Sequence, residues 1–312
     1  MKKRGCYGCV AALVIGSVSP TLAQPVFRSG VELVEFGVTV VDEDGEVVRG
    51  LAADDFVITE EGQQQQIAYF SQGVERDLET IPLHVGVLFD ASGSMDDDAD
   101  FATTAALQFL RSLDFAADIT LVQFAEEVRV SRFGPLDFPR LVERLRGREG
   151  GGMTALYDAL GVYLDGAFGQ DGRKILLLYT DGDDTRSRIR FDELLDLVRA
   201  SDVTAYVVGF NRWRRADAGI RERVRLEQIA RLTGGRAYFP DNAADLEEIY
   251  AEIRDELIAR YSLGYISTDP ATDGAWRRVS ITLRVSRSDL HDSEIRVREG
   301  YFAPYLESAL GR

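Results

Sequence analysis

Between Pro82 and about Arg260 the chain alternates runs that suit a buried strand with runs that repeat at helical spacing, and this alternation limits the fold more than any other feature. Leu83-His-Val85-Gly-Val87-Leu88-Phe89 and Lys174-Ile-Leu-Leu-Leu-Tyr179 are nearly continuous apolar runs. A strand with one wet face would alternate instead. Further strand runs at 119–124, 128–133, 203–210 and 236–239 lie among helical patterns at 100–113, 138–145, 155–167, 194–200 and 224–232. A last helix runs from Asn242 or Ala243 to Arg260, with Leu246, Ile249, Tyr250, Ile253, Leu257 and Ile258 on one stripe. The pattern predicts an α/β fold, a doubly wound and mostly parallel sheet covered by helices on both faces. Ligands of such sheets bind outside the carboxyl ends of the strands, where the strand order reverses.

Residues 31–72 and 261–303 read differently, as short alternating strands, Ile295 to Phe302 being one of them, separated by turns such as Asp42-Glu-Asp-Gly45 and Asp269-Pro-Ala-Thr-Asp-Gly274. Neither piece has enough apolar residues for a core of its own. Because they bracket the α/β segment, they are expected to pair into one small β-sandwich built from both ends of the chain. The expected organisation is a leader at 1–23, a β segment at 24–79, an α/β domain at 80–260, and a β segment at 261–312 that packs with 24–79.

The leader is read from Lys2-Lys3-Arg4, the apolar Val10–Val18 and the small residue Ala23 before Gln24. That is the pattern of a secretory signal peptide, with an apolar core too short for a stable transmembrane helix. An uncleaved anchor is the alternative. No later stretch is apolar enough to cross a membrane, so a secreted or periplasmic protein is expected. Both cysteines, Cys6 and Cys9, fall in this leader, so the mature chain has no disulfide and no thiolate site. His84 reads as a packed strand histidine and His291 as a solvated one. The formal charge of −16 becomes −19 once Lys2, Lys3 and Arg4 are removed. Nucleic acid and anionic lipid are thereby disfavoured as partners.

Asp90-Ala-Ser92-Gly-Ser94 follows the first buried run directly and offers three oxygens spaced two residues apart. Asp, Ser and Gly are also ordinary turn residues. Two other segments add to it. Gly150-Gly-Gly-Met-Thr154 opens the 155–167 helix, and the second buried run ends in Thr180-Asp181-Gly182-Asp183. Over roughly residues 80–260 the set resembles the metal-ion-dependent adhesion site of von Willebrand factor type A domains, with its three segments in the family's order. Asp90, Ser92, Ser94, Thr154 and Asp181 fall on the five metal positions. Softer motifs, among them Tyr261-Ser-Leu-Gly-Tyr265 and Arg298-Glu-Gly-Tyr301, resemble the bacterial branch labelled VWFA-related.

The resemblance implies that Ser92 and Ser94 bind a divalent cation directly, that Thr154 is a direct or switching ligand, and that Asp90 and Asp181 neutralise the ion. Mg²⁺ is the expected ion, with Mn²⁺ or Ca²⁺ as alternatives; all favour oxygen ligands. Neutral hydroxyls leave such an ion electrophilic toward a partner's Asp or Glu, so the expected partner is a protein presenting an acidic residue. Asp97 and Asp98 match positions that hold a neighbouring ion in integrin β subunits. They also suit the first turn of a helix, where acids meet free N–H groups. Arg212, Trp213 and Arg214 follow a strand's carboxyl end, either as a ligand-binding rim or as a solvated helix start. No histidine or extra base accompanies the motif, so binding rather than catalysis is expected. A scaffold subunit of an envelope complex and a metal-assisted hydrolase are the alternatives.

Overall fold

The computed structural model describes residues 33–73, 82–96, 98–113, 115–147, 151–210, 217–284, 290 and 292–305. The chain enters through four strands, β1 (Leu33–Val41), β2 (Phe56–Glu60), β3 (Gln63–Gln65) and β4 (Ile67–Gln72). The alternating block follows: β5 (Leu83–Asp90), α1 (Ala99–Ser112), β6 (Asp118–Phe124), β7 (Val128–Phe133), α2 (Phe138–Arg146), α3 (Leu156–Phe168), β8 (Arg173–Thr180) and α4 (Phe191–Ala200). It ends with β9 (Val203–Gly209), α5 (Asp217–Leu232), β10 (Ala237–Tyr238) and α6 (Ala243–Ala259). Four strands close the chain, β11 (Tyr261–Ile266), β12 (Trp276–Leu283), β13 (Glu294–Arg296) and β14 (Gly300–Phe302).

The middle block forms one sheet in the order β10-β9-β8-β5-β6-β7. Its neighbours are parallel except for β7, which runs back against β6. Alternation along the strands divides the core in two. Val85, Val87 and Phe89 of β5 cluster with α1, α2 and α6, whereas Leu88 clusters with α3, α4 and α5. Both faces of β5 are therefore dry, as its continuous apolar run requires. Gly86 interrupts that run for a packing reason: a Cβ there would sit 2.2 Å from the ring of Tyr163 on α3. The order reverses between β5 and β8, and this places the carboxyl ends carrying Asp90 and Asp181 side by side.

The terminal strands form two antiparallel sheets, β13-β1-β11-β4 and β14-β12-β2-β3, each combining strands from before and after the middle block. Phe36, Val38, Phe56, Ile58, Tyr261, Tyr265 and Ile281 fill one shared core between them. Phe56 and Tyr261 pack with ring centroids 5.4 Å apart, and each such buried side chain stabilises by roughly 1.5–3 kcal/mol. The fold class expected from the sequence is the one observed, a mostly parallel α/β sheet plus a small sandwich drawn from both flanks. No helix among the described residues is long and apolar enough to cross a membrane.

Element bounds shift from the reading at several points, among them these. The run 295–302 is two strands in different sheets, because β13 pairs with β1 and β14 with β12. α4 starts at Phe191 rather than Leu194. α5 starts at Asp217, ahead of Val224; its early turns are rich in arginine and glutamate and its Ile220 is exposed, so no apolar stripe marked them.

Candidate metal centre

Asp90 is the last residue of β5, one step beyond the Phe89↔Tyr179 pair that fixes the register with β8. The next residue of β8 is Thr180, whose hydroxyl donates to Asp90 Oδ2 at 2.7 Å. Asp90 Oδ1 accepts the Ser92 N–H at 3.0 Å, an Asx turn that bends the chain sharply off the strand. A short 3₁₀ turn over Gly93–Met95 follows, with Met95 fully buried in the core beneath it. Met95 anchors the turn from below and leaves Ser92 and Ser94 with their hydroxyls 3.1 Å apart.

Backbone hydrogen bonds join the second segment to the first. The Gly151 N–H donates to the Ala91 carbonyl, and the Ala155 N–H donates to the Ala125 carbonyl beyond β6. Gly152 adopts a φ of +77°, in the left-handed region that suits glycine. A Cβ there would also lie 2.5 Å from the Glu126 carboxylate. The third segment is tied to the second at Thr154, whose N–H donates to Thr185 Oγ1 at 3.0 Å and whose carbonyl accepts the Thr185 and Arg186 N–H groups. Further along, Asp184 Oδ1 accepts the Tyr157 N–H, and Ser187 Oγ accepts that of Asp158. The Asp158 carboxylate in turn accepts the Arg188 and Ile189 N–H groups. The loop after β8 is thus fastened to the first turn of α3.

Asp90, Ser92, Thr154 and Asp181 are all buried, and Ser94 is half-buried. Burial pushes the Asp90 carboxyl up to about 6, against the hydrogen bonds from Ser92 and Thr180 that pull it down; the nearby Asp181 carboxylate adds to the rise. Positive charge beside this deeply buried carboxylate would oppose the rise that burial and Asp181 produce. The donor set is all oxygen, which suits a hard cation. The 3.1 Å between the serine hydroxyls is close to the roughly 2.9 Å that separates adjacent oxygens of an octahedral ion with bonds of about 2.0–2.1 Å. The residues present fit a divalent cation.

The remaining expected site residues are placed less closely. Asp98 stands just before α1, and its carbonyl accepts the Ala102 N–H. Asp97 lies outside the described residues, as do Arg212, Trp213, Arg214 and His291. His84 is half-buried at the opposite end of β5, with Nδ1 3.0 Å from Asp118 Oδ2 and Nε2 3.0 Å from the Asp171 carbonyl. Thr180 and Thr185 hold this arrangement together and were passed over by the motif reading, because each meets its partner across the sheet or across a loop.

Residues 84–252, more than half of the chain, match the sequence profile of the von Willebrand factor type A domain. The chain belongs to that family. Solved structures similar to it include a von Willebrand factor type A protein from Catenulispora acidiphila, at 15% identity and a TM-score of 0.47, covering 90% of this chain and 76% of that one. The conserved hypothetical protein BatB from Bacteroides thetaiotaomicron is 17% identical with a TM-score of 0.45, covering 56% of this chain and 98% of its own. Proximal thread matrix protein 1 from the mussel byssus, solved with a zinc-occupied MIDAS motif, is 19% identical with a TM-score of 0.43, covering 58% and 48%. No protein of curated function matches the chain. The central sheet, α1 to α6 and the three loops described above lie within or beside the matched VWA domain.

Proposed function

We propose that this VWA protein is a cation-dependent binding module that recognises a protein partner through an acidic residue. Asp90, Ser92, Ser94, Thr154 and Asp181 hold the ion, Mg²⁺ foremost with Mn²⁺ or Ca²⁺ as alternatives. Asp97 and Asp98 are candidates for an adjacent ion, and Arg212, Trp213 and Arg214 for the ligand-binding rim. A bound cation supplies an open coordination position to the partner's carboxylate. The observation that carries this reading is the deeply buried Asp90 beside two serine hydroxyls at ligand spacing. Ser92 and Ser94 orient the ion without neutralising it, and Asp90 and Asp181 supply the charge. The leader-like residues 1–23 support a secreted or periplasmic location, and the pairing of β1–β4 with β11–β14 supports a sandwich domain built from 24–79 and 261–312 around the VWA domain at 80–260.

Thermal unfolding of the protein with Mg²⁺ or Mn²⁺ tests the site. With the ion about 100-fold above its Kd, stability should rise by about 2.7 kcal/mol, and Ser92→Ala should abolish the rise. An unchanged midpoint on adding either ion would refute the site. Partner capture from envelope extracts should require the ion and fail in EDTA. Capture indifferent to EDTA and to Asp90→Ala would instead mark a scaffold subunit.

A further inference from the structure

The chain carries a formal charge of −16, yet from Val128 to Gly147 it holds five arginines, Arg129, Arg132, Arg140, Arg144 and Arg146, against only Asp137 and Glu143. This inversion coincides with the edge of the central sheet. Among the described residues β7 is the terminal strand there, hydrogen-bonded to β6 alone. Along such an edge, alternate residues turn their N–H and C=O groups away from the sheet, where an added strand can pair with them. Val130, in the middle of β7, is exposed.

The upper end of this edge adjoins the metal centre. Gln123 of β6 stands opposite Arg129 in register, and its side-chain amide donates to the Arg144 carbonyl of α2 at 3.2 Å. The next residue along β6, Phe124, bonds through its carbonyl to the Ala91 N–H between Asp90 and Ser92. The arginines at the end of α2 and the start of β7 therefore flank the first two loops of the site. Arg129 already pairs with Glu127, and Arg140 with Asp137. Among the described residues Arg144 and Arg146 pair with no carboxylate, and Arg146 is exposed. Guanidinium groups placed this way favour carboxylates, bidentate where geometry allows.

We propose that β7 and the carboxyl-terminal turn of α2 form a docking surface for an extended acidic segment of the partner. Its backbone pairs along β7, and its side chains meet Arg144 and Arg146 while a neighbouring carboxylate reaches the cation. The inference rests on the cation-dependent reading above and names the chemistry of the partner: a stretch of several acids rather than a lone one. Charge complementarity carries it: Arg144 and Arg146 are uncompensated among the described residues of an acidic protein, and the helix end that bears them adjoins the site, where Glu127 is already taken by Arg129.

A fluorescently labelled oligo-glutamate peptide is the probe, mixed with the full-length protein in Mg²⁺ at low ionic strength. Arg144→Glu/Arg146→Glu should slow association roughly tenfold, whereas Arg231→Glu, an exposed reversal on α5, should leave it near wild type. Hydrogen exchange should show the amides of residues 128–133 protected when the probe binds, a readout independent of any variant's folding. No probe binding, equal effects of the two reversals, or unchanged exchange along β7 would each overturn the proposal; in that case the arginines only guard an open edge. Sensitivity to EDTA with no arginine effect would remove this surface and leave the cation reading standing. An arginine effect with no EDTA sensitivity would do the reverse.

Discussion

Thr180 serves two groups with a single hydroxyl: it donates to Asp90 Oδ2 and accepts the Gly182 N–H at 2.9 Å. Thr180→Val keeps the shape of the side chain but strands a buried carboxylate oxygen and a buried amide, and each unmet group costs about 1–3 kcal/mol. Urea unfolding should show a loss in that range, and Thr180→Ser should recover most of it. A loss no larger than that of Thr59→Val, at a half-buried strand position of the sandwich, would rule out the coupling. The segments that carry Asp90, Ser92, Ser94, Thr154 and Asp181 stand out in the sequence because each follows a buried strand or opens a helix, where the local pattern is strong. Thr180 was not, because its role depends on which residue of another strand stands opposite, and register between strands ninety positions apart leaves no local mark. The same holds for Thr185, whose hydroxyl meets the Thr154 amide across a loop.

The first turn of α3 and the loop after β8 exchange hydrogen bonds in both directions. Asp158 stands in the first turn of α3, where an acid is favoured by the exposed N–H groups. Its carboxylate in fact accepts the Arg188 and Ile189 amides, on an element thirty residues away. Asp158→Ala should cost about 1 kcal/mol, as loss of a capping carboxylate does. Hydrogen exchange at residues 184–190 should also speed up while the core strands stay protected. Uniform acceleration across the sheet would argue instead for global destabilisation. Helices and strands of the middle block were legible because burial on both faces writes continuous apolar runs, as in β5 and β8. The 295–302 run was misjudged for a related reason. Apolar Ile295, Val297, Tyr301 and Phe302 resemble one alternating strand, and nothing local marks the crossing at Arg298-Glu299 from one sandwich sheet to the other.

Across the whole molecule, half-buried arginines bond the sandwich to the VWA domain. Arg173 of β8 donates to the Gly73 carbonyl and Ser262 Oγ; Arg298 donates to the Glu35 and Ser201 carbonyls and lies over the Phe36 ring. The most enclosed of these contacts joins Arg296 of β13 to Glu256 of α6 at 2.6 Å, with the Tyr206 hydroxyl of β9 donating to the other carboxylate oxygen. Glu256 is fully buried, and burial raises its carboxyl above the ordinary range despite Arg296, Tyr206 and Arg260, with Glu252 adding to the rise. A carboxyl raised in the folded state holds its proton more tightly folded than unfolded. It therefore contributes stability below the ordinary carboxyl range, and that contribution is lost as pH rises through the raised native value. Glu256→Gln removes the titration, so wild-type stability should fall relative to this variant across that window, and parallel pH curves would refute the assignment. Arg296→Met leaves Glu256 buried without its main cation and should cost about 3–5 kcal/mol at neutral pH. The double variant Glu256→Gln/Arg296→Met should recover most of that loss, because it removes the stranded charge together with its partner. If the double variant is as unstable as Arg296→Met, the arginine acts through its packing between β13 and α6, and the ion pair is not what joins the two halves.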